Sequence, residues 1–328
     1  MAMPNKNMVH IDQALTTISV AYMQTEDMFI ADKVFPMVNV EKQSDRYFRY
    51  LKEDWFRDEA AMRAPATEST GGGYDIDNTP TYYCNKYAYH KDITEEDRVN
   101  TDQPLKPDED AAQYVASKLL LRREVIWGSN FFIPGVWANQ RVGVIAAPVL
   151  PGQFLRWDVP GSTPIEDISA AKMTIASQTG LLPNTLVLGA NVYEKLRNHD
   201  DILGRIIFTQ RGIVTADILA ALFDVQRVVV AWAVRNIAAK GAAENTNFLL
   251  GNHALLCYVP KSPGLKTASA GYIFPWTGMM GAQSYGMRVN RFDMPILGIG
   301  TERIEGEMAF DMRIVAADLG HFFAGAVS

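Results

Sequence analysis

Few residues of this 328-residue chain are spaced for chemistry, and each candidate has a plainer structural reading. Gly298-Ile299-Gly300 opens like a dinucleotide fingerprint, in which glycines let the backbone approach a pyrophosphate. Arg303 stands where the third glycine belongs, and the β-rich surroundings offer no helix to open, so the spacing predicts a turn. No G-x-x-x-x-G-K-S/T loop is present to cradle phosphate. His10, His90, His199, His253 and His321 are scattered without metal-ligand spacing. Neither Cys84 nor Cys257 lies in a nucleophile signature, and there is no G-x-S-x-G elbow. Thr94-Glu95-Glu96-Asp97 and Asp108-Glu109-Asp110 concentrate negative charge that would attract a cation. The second run is what a helix start favours, and the first reads as a solvated face. The expectation is therefore no catalytic residue, no cofactor and no metal, and a chain that is not an enzyme.

Whole-chain numbers narrow the class further. A hydrophobic fraction of 48% and a charged fraction of 21% are ordinary for a folded globular protein. The net charge of −6 argues against a dedicated nucleic-acid reader, though a local basic patch is compatible with it. Two cysteines without a C-x-x-C pair suit a reducing compartment. The N-terminus has no basic segment followed by an apolar stretch, and no run reaches the roughly 20 apolar residues of a membrane span. These features predict a soluble protein made in the cytoplasm.

The elements that would hold any site follow from periodicity. Ile11, Leu15, Ile18 and Tyr22 have helical spacing within Asp12–Met28 and its approach, packed on its own domain or reaching a neighbour. Pro36 ends the stretch Phe29–Phe35. Tyr82–His90 reads as an aromatic strand. Pro107 in a first turn rich in acids opens the strongest helix, which runs through Val115, Leu119, Leu121, Val125 and Ile126 to Phe131. Its length of roughly 30 Å would cross a whole domain. Lys118, Arg122 and Arg123 form a basic patch on it.

Thr163-Pro164-Ile165-Glu166 has the form of a capping box opening a helix to about residue 178, with Ile168 and Ile175 inward. Thr185–Leu188 is a buried strand; Asn191–Arg197 and Thr215–Phe223 are helices. The apolar run from Arg227 to Val234 suits a central strand. Gly251-Asn252-His253 signals a hairpin between Phe248–Gly251 and Ala254–Val259. The segment from Tyr285 to Phe323 alternates and is expected to pair with the strands around Tyr87. The fold class is α+β.

One region fits none of these elements. Residues 41–77 form a long polar arm carrying Tyr47, Phe48, Tyr50, Trp55 and Phe56, then Pro65 and Gly71-Gly72-Gly73. A loop longer than about 15 residues in a compact domain is normally functional or disordered. So many aromatics count against disorder. The remaining reading is an extended hairpin whose aromatics are buried against another subunit, which points to assembly rather than catalysis.

Several segments in order carry a resemblance: ADKVFPMVNVEKQSDRYFRY from Ala31, DWFRDEAAMRAPATESTGGGY from Asp54, YAYHKDI from Tyr87, KLLLRREVIW from Lys118, PNTLVLGANVYEKLRNHDDI from Pro183, and GIGTERIEGE from Gly298. With these, most of the chain resembles the major capsid proteins of tailed bacteriophages, with the Hong Kong 97-type fold. The resemblance implies an N-terminal arm (1–36), an extended β-hairpin loop (37–82), a peripheral domain (83–164 with 286–328) bearing a spine helix at about 107–131, and an axial domain (165–285). It implies hexamers and pentamers tiling an icosahedral shell around double-stranded DNA in a virion assembled in the bacterial cytoplasm.

Implied partners are further copies of the chain, a portal, a scaffolding protein expected to be separate because Met1 leads straight into the arm, and a decoration protein. No covalent cross-link motif is evident. Expected intersubunit contacts are Tyr50, Trp55, Phe56, Arg57, Asp58, Glu59 and Arg63, and the expected DNA-facing residues are Lys118, Arg122 and Arg123. The alternative is an encapsulin-type shell enclosing a cargo protein.

Overall fold

A computed structural model of the chain describes residues 24–101, 105–147, 149–206, 214–264, 266–280 and 287–328. Two larger sheets organise them. The first is built on the thirteen-residue strand Glu302–Ile314. Asn85–Ile93 runs antiparallel along one edge, with Tyr87 opposite Met308, which is the return pairing the alternating C-terminal segment predicts. The other edge is shared between Met287–Asp293 and Gly271–Pro275.

The helix Pro107–Phe131 lies across this sheet, with Pro107 in its first turn and Asp108, Glu109 and Asp110 behind it, as expected. Its close approach depends on Gly306. A β-carbon there would fall 2.5 Å from Val115 Cγ1 and 2.8 Å from Leu119 Cδ1. The buried row of the helix runs Ala111, Val115, Leu119, Arg123, Trp127 in steps of four. Leu121, Val125 and Ile126 are only half-buried beside it.

The second sheet has six strands in the order Gln153–Leu155, Asn139–Val144, Gly320–Ala324, Ala254–Cys257, Thr185–Gly189, Arg227–Ala231. Three of its four inner strands, those from Thr185, Ala254 and Gly320, are buried along their whole length, so they read as apolar runs rather than alternations. The helix Pro164–Thr179 packs on it through the buried Ile168 and Ile175. Helices Ala190–Arg197 and Ala216–Leu222 fall where expected, the latter capped by the Thr215 side chain. One buried cluster joins the sheets, from Val115 and Met308 beneath the long helix to Leu186 and Phe322.

The structure corrects four local readings. Arg227–Ala231 is an edge strand paired with Thr185–Gly189, because Ala254–Cys257 holds the central place; an apolar run does not distinguish the two positions. Gly251-Asn252-His253 joins no hairpin. Thr246–Phe248 pairs with Val234–Asn236, and Ala254–Cys257 pairs with strands from Thr185 and Gly320. Thr163 caps its helix without a side-chain hydrogen bond. The capping box forms instead at Thr94, whose hydroxyl accepts from Asp97 N–H while the Asp97 carboxylate accepts from Thr94 N–H. The acidic cluster there is therefore a helix start, not merely a solvated face. Asp108 likewise does more than begin a helix, pairing with Arg98 at 3.0 Å and Arg291 at 3.4 Å.

Gly298 and Gly300 have φ of +129° and +73°, so the glycine pair does make a turn. Sheet membership cuts across the expected domain limits. Asn139–Val144, Gln153–Leu155 and Gly320–Ala324 join the sheet of the 165–285 segment, while Gly271–Pro275 joins the sheet under the long helix. The helix expected over Asp12–Met28 lies outside the described residues as far as residue 23; Glu26–Met28 makes one 3-10 turn. Phe29–Phe35 is not a loose arm. Phe29, Ile30, Ala31, Val34 and Phe35 are buried, and Phe35 meets Phe131 at 5.0 Å and Trp127 at 5.9 Å between ring centroids.

Candidate assembly surface

From Glu41 the chain leaves the body as a hairpin. Ser44–Arg46 pairs with Thr81–Tyr83, and Arg49–Tyr50 with Ile76–Asp77. An Arg49–Asp77 ion pair at 2.8 Å crosses the second rung. Between them Lys52–Trp55 makes one helical turn, where Asp54 accepts from Asp75 N–H at 2.8 Å. These contacts bring Tyr50, Trp55 and Tyr74 into a three-ring cluster with centroids 5.6–6.1 Å apart.

A two-stranded ribbon has no second layer to cover such a cluster. Trp55 stays 63% exposed, Phe56 60% and Phe48 69%, while Tyr50 is half-buried. The loop touches its own subunit only lightly. Lys52 pairs with Asp318, Lys266 lies 5.5 Å over the Tyr50 ring, and the Phe56 ring approaches Gly180. Arg57 lies 3.8 Å from Asp54 and 3.9 Å from Glu59. Arg63 donates to the Thr67 carbonyl, and Asp58 has no ion pair among the described residues. The expected contact residues thus share one exposed hairpin end.

The basic patch divides. Lys118 and Arg122 are exposed one helical turn apart, packed over the rings of Tyr114 at 5.2 Å and Tyr87 at 5.7 Å. Arg123 is only 8% exposed and pairs with Asp32 at 3.2 Å, so it is not a DNA-facing residue. The reason is helical geometry. Arg123 extends the Val115–Leu119 row that packs inward, whereas 118 and 122 lie on the next row.

Two buried titratable groups stand out, Glu124, which the sequence reading did not single out, and His321, which it named only among the scattered histidines. Glu124 Oε2 accepts from Ile30 N–H at 3.1 Å and Ala31 N–H at 2.9 Å, tying the docked arm to the long helix. Burial pushes its carboxyl up to about 7, against the pull of those two bonds and of Arg123. A Glu beside the inward row of the helix was the available signal. His321 is buried in the strand Gly320–Ala324; burial lowers it to about 4, and Arg141 acts in the same direction. Among the described residues no His, Cys, Asp and Glu cluster could hold a metal ion, and no helix is long and apolar enough to cross a membrane.

No family model matches the chain. Two relatives match it from end to end. The major capsid protein of Burkholderia phage BcepMu is 25% identical over 329 residues, covering 96% of both chains. The major capsid protein of Pseudomonas phage JBD67 is 27% identical over 324 residues, covering 97% of both. Among solved structures, a phage-related protein from Bordetella bronchiseptica RB50 superposes with a TM-score of 0.68 at 20% identity, over 92% of this chain and 94% of that one. The capsid of cyanophage P-SCSP1u gives 0.59 at 11%, covering 98% and 94%. The SrpI encapsulin of Synechococcus elongatus PCC 7942 gives 0.57 at 11%, covering 100% and 98%. The chain has the Hong Kong 97-type capsid fold, of class α+β. It is similar over nearly its whole length to phage major capsid proteins.

Proposed function

We infer that the chain is the major capsid protein of a tailed bacteriophage, assembling with copies of itself as hexamers and pentamers into an icosahedral shell around double-stranded DNA. End-to-end similarity to two phage major capsid proteins carries this reading. The exposed aromatic hairpin supplies its physical side. Burying a ring such as Trp55 or Phe56 against a neighbouring subunit contributes about 1–3 kcal/mol, and a shell repeats that contact at every subunit. Tyr50, Trp55 and Phe56 are the proposed anchors. Arg57, Asp58, Glu59 and Arg63 set register more than affinity. Lys118 and Arg122 are the proposed sequence-independent, salt-sensitive DNA contacts.

On this reading the sheet with the long helix forms the peripheral domain and the six-stranded sheet the axial one. Portal, scaffolding and decoration proteins are the proposed further partners, with synthesis and assembly in the host cytoplasm. The encapsulin likeness is one of fold and favours no cargo reading over the sequence relatives. The test is to express the chain alone and examine it by sedimentation and negative-stain electron microscopy. Shells, rings or tubes are expected. A chain that stays monomeric at high concentration, even with a scaffolding partner, overturns the proposal, and shells filled by a specific cargo enzyme would favour the encapsulin alternative.

A further inference from the structure

The long helix carries one face that no acid shares. From Gln113 to Asn130 its only carboxylate is Glu124, which is buried against the docked arm. Tyr114, Lys118 and Arg122 are exposed at steps of four, so the two cations stand about 6 Å apart along the axis. Tyr87 and Tyr89 of the strand Asn85–Ile93 run beside them, and Arg122 lies over the Tyr87 ring. Neither cation has an ion pair among the described residues. In a chain of net charge −6, such a concentration of unpaired cations is complementary to a polyanion.

Two phenols complete a site at the Lys118 end of this row. Tyr89 and Tyr114 are both exposed, and their hydroxyls meet at 3.3 Å. Whichever donates to the other, the accepting hydroxyl keeps its own proton free to donate outward. Lys118 lies 5.2 Å over the Tyr114 ring. Lys240 comes from the turn between Val234–Asn236 and Thr246–Phe248, exposed and without an ion pair among the described residues. Its charge acts on the Tyr89 hydroxyl, as does that of Lys118. The bond to Tyr114 outweighs both and holds that hydroxyl above the usual phenol range, so it remains a donor at neutral pH. Glu244, the acid on the same turn, accepts from the Thr246 hydroxyl. A free O–H donor beside two ammonium groups suits a phosphate oxygen, which accepts hydrogen bonds and carries charge.

We propose, resting on the reading of a shell around double-stranded DNA, that Tyr89, Tyr114, Lys118 and Lys240 together hold one phosphodiester group of the duplex backbone. The helix and the ribbon turn each supply one cation, so the site exists only where those two elements meet.

Full-length chain, its free subunits separated from shells by sedimentation, tests this through the anisotropy of a labelled random-sequence duplex. Lys118→Glu with Lys240→Glu is expected to weaken binding roughly tenfold or more at about 50 mM salt, and to make the slope of log affinity against log salt shallower by about 2. Tyr89→Phe with Tyr114→Phe should weaken binding severalfold at unchanged slope, because hydroxyls release no counterions. Lys118→Ala with Lys240→Ala repeats the charge test should reversal disturb folding. If Lys240→Glu or the phenylalanine pair binds duplex as tightly as the parent, the proposal is overturned. Tighter binding of polyglutamate than of duplex at equal charge overturns it too, and would assign the site to an acidic protein. Shell formation by the parent, scored in the same preparations, tests the shell reading separately. Parent shells together with an inert Lys240 and tyrosine pair would sink this site alone.

Discussion

Phe35 meets Phe131, Trp127 and Trp137 with ring centroids 5.0–6.4 Å apart, while Tyr50, Trp55 and Tyr74 meet at 5.6–6.1 Å. The ring geometry is much the same in both places. Yet Trp127 is 0% exposed and Trp55 is 63% exposed. The difference lies behind the rings. The Phe35 cluster sits among the docked arm, the long helix and the Gly271–Pro275 strand, where a β-carbon on Gly271 would reach within 2.5 Å of the Phe35 ring. The Trp55 cluster has only a ribbon of two-residue strands beneath it. Aromatic contact by itself is therefore no sign of a core. What counts is whether a second layer closes over it.

The largest expected effect lies in the closed cluster. Trp127→Ala should cost about 3–5 kcal/mol of folding stability, read from a denaturant midpoint, because it leaves a cavity beside Phe35 and Phe132. A loss below 1 kcal/mol would mean that this cluster is no more closed than the loop.

Next come the two buried titratable groups, whose effects oppose each other. Glu124 is raised from 4.5 to about 7, so its contribution is full below pH 4.5 and is lost as pH rises toward 7. His321 is lowered from 6.5 to about 4, so its contribution is full above pH 6.5 and is lost as pH falls toward 4. Each is worth about 3 kcal/mol across its window. The wild-type chain should thus show a shallow pH dependence between these values. Glu124→Gln should unmask loss of stability toward acid, and His321→Phe loss toward neutrality, in thermal melts at pH 4.5 and 7. Equal slopes in all three proteins would refute the assignment.

Gly306→Ala comes third. The added carbon must push back Val115 and Leu119, at about 1–3 kcal/mol. A melting temperature equal to that of the parent would show that the helix yields freely. The smallest effect on the monomer belongs to Trp55→Ala, at less than about 0.5 kcal/mol, since the side chain is mostly solvated. Its shell yield, measured by sedimentation, should nevertheless fall steeply. Normal shells of normal stability would sink the role given to this ring.

Much of this contrast was readable in advance. The hairpin was legible because 41–77 combined aromatics with no apolar periodicity, and the long helix because Pro107 and three acids mark its start. Alternation in the C-terminal segment foretold its pairing with the strand around Tyr87. The failures share one cause. The central place given to Arg227–Val234 and the hairpin at Gly251-Asn252-His253 depended on which strand took the neighbouring position, and local pattern carries no partner identity. Arg123 was grouped with Lys118 and Arg122 by charge, although the step of four from Val115 through Leu119 already led inward to it.

By itself the sequence determined the α+β class, the start of the long helix, the polar arm with its exposed rings, and the absence of a recognised catalytic or metal-binding motif. These follow from periodicity and spacing, which are properties of neighbouring residues. Only the tertiary structure decided that Glu124 would hold Ile30, 94 residues away, that Arg123 would face Asp32, and that strands from Asn139, Ala254 and Gly320 would share one sheet. Such pairings are settled by the packing of surfaces distant in the chain, where burial and the pairing of backbone polar groups must be satisfied together.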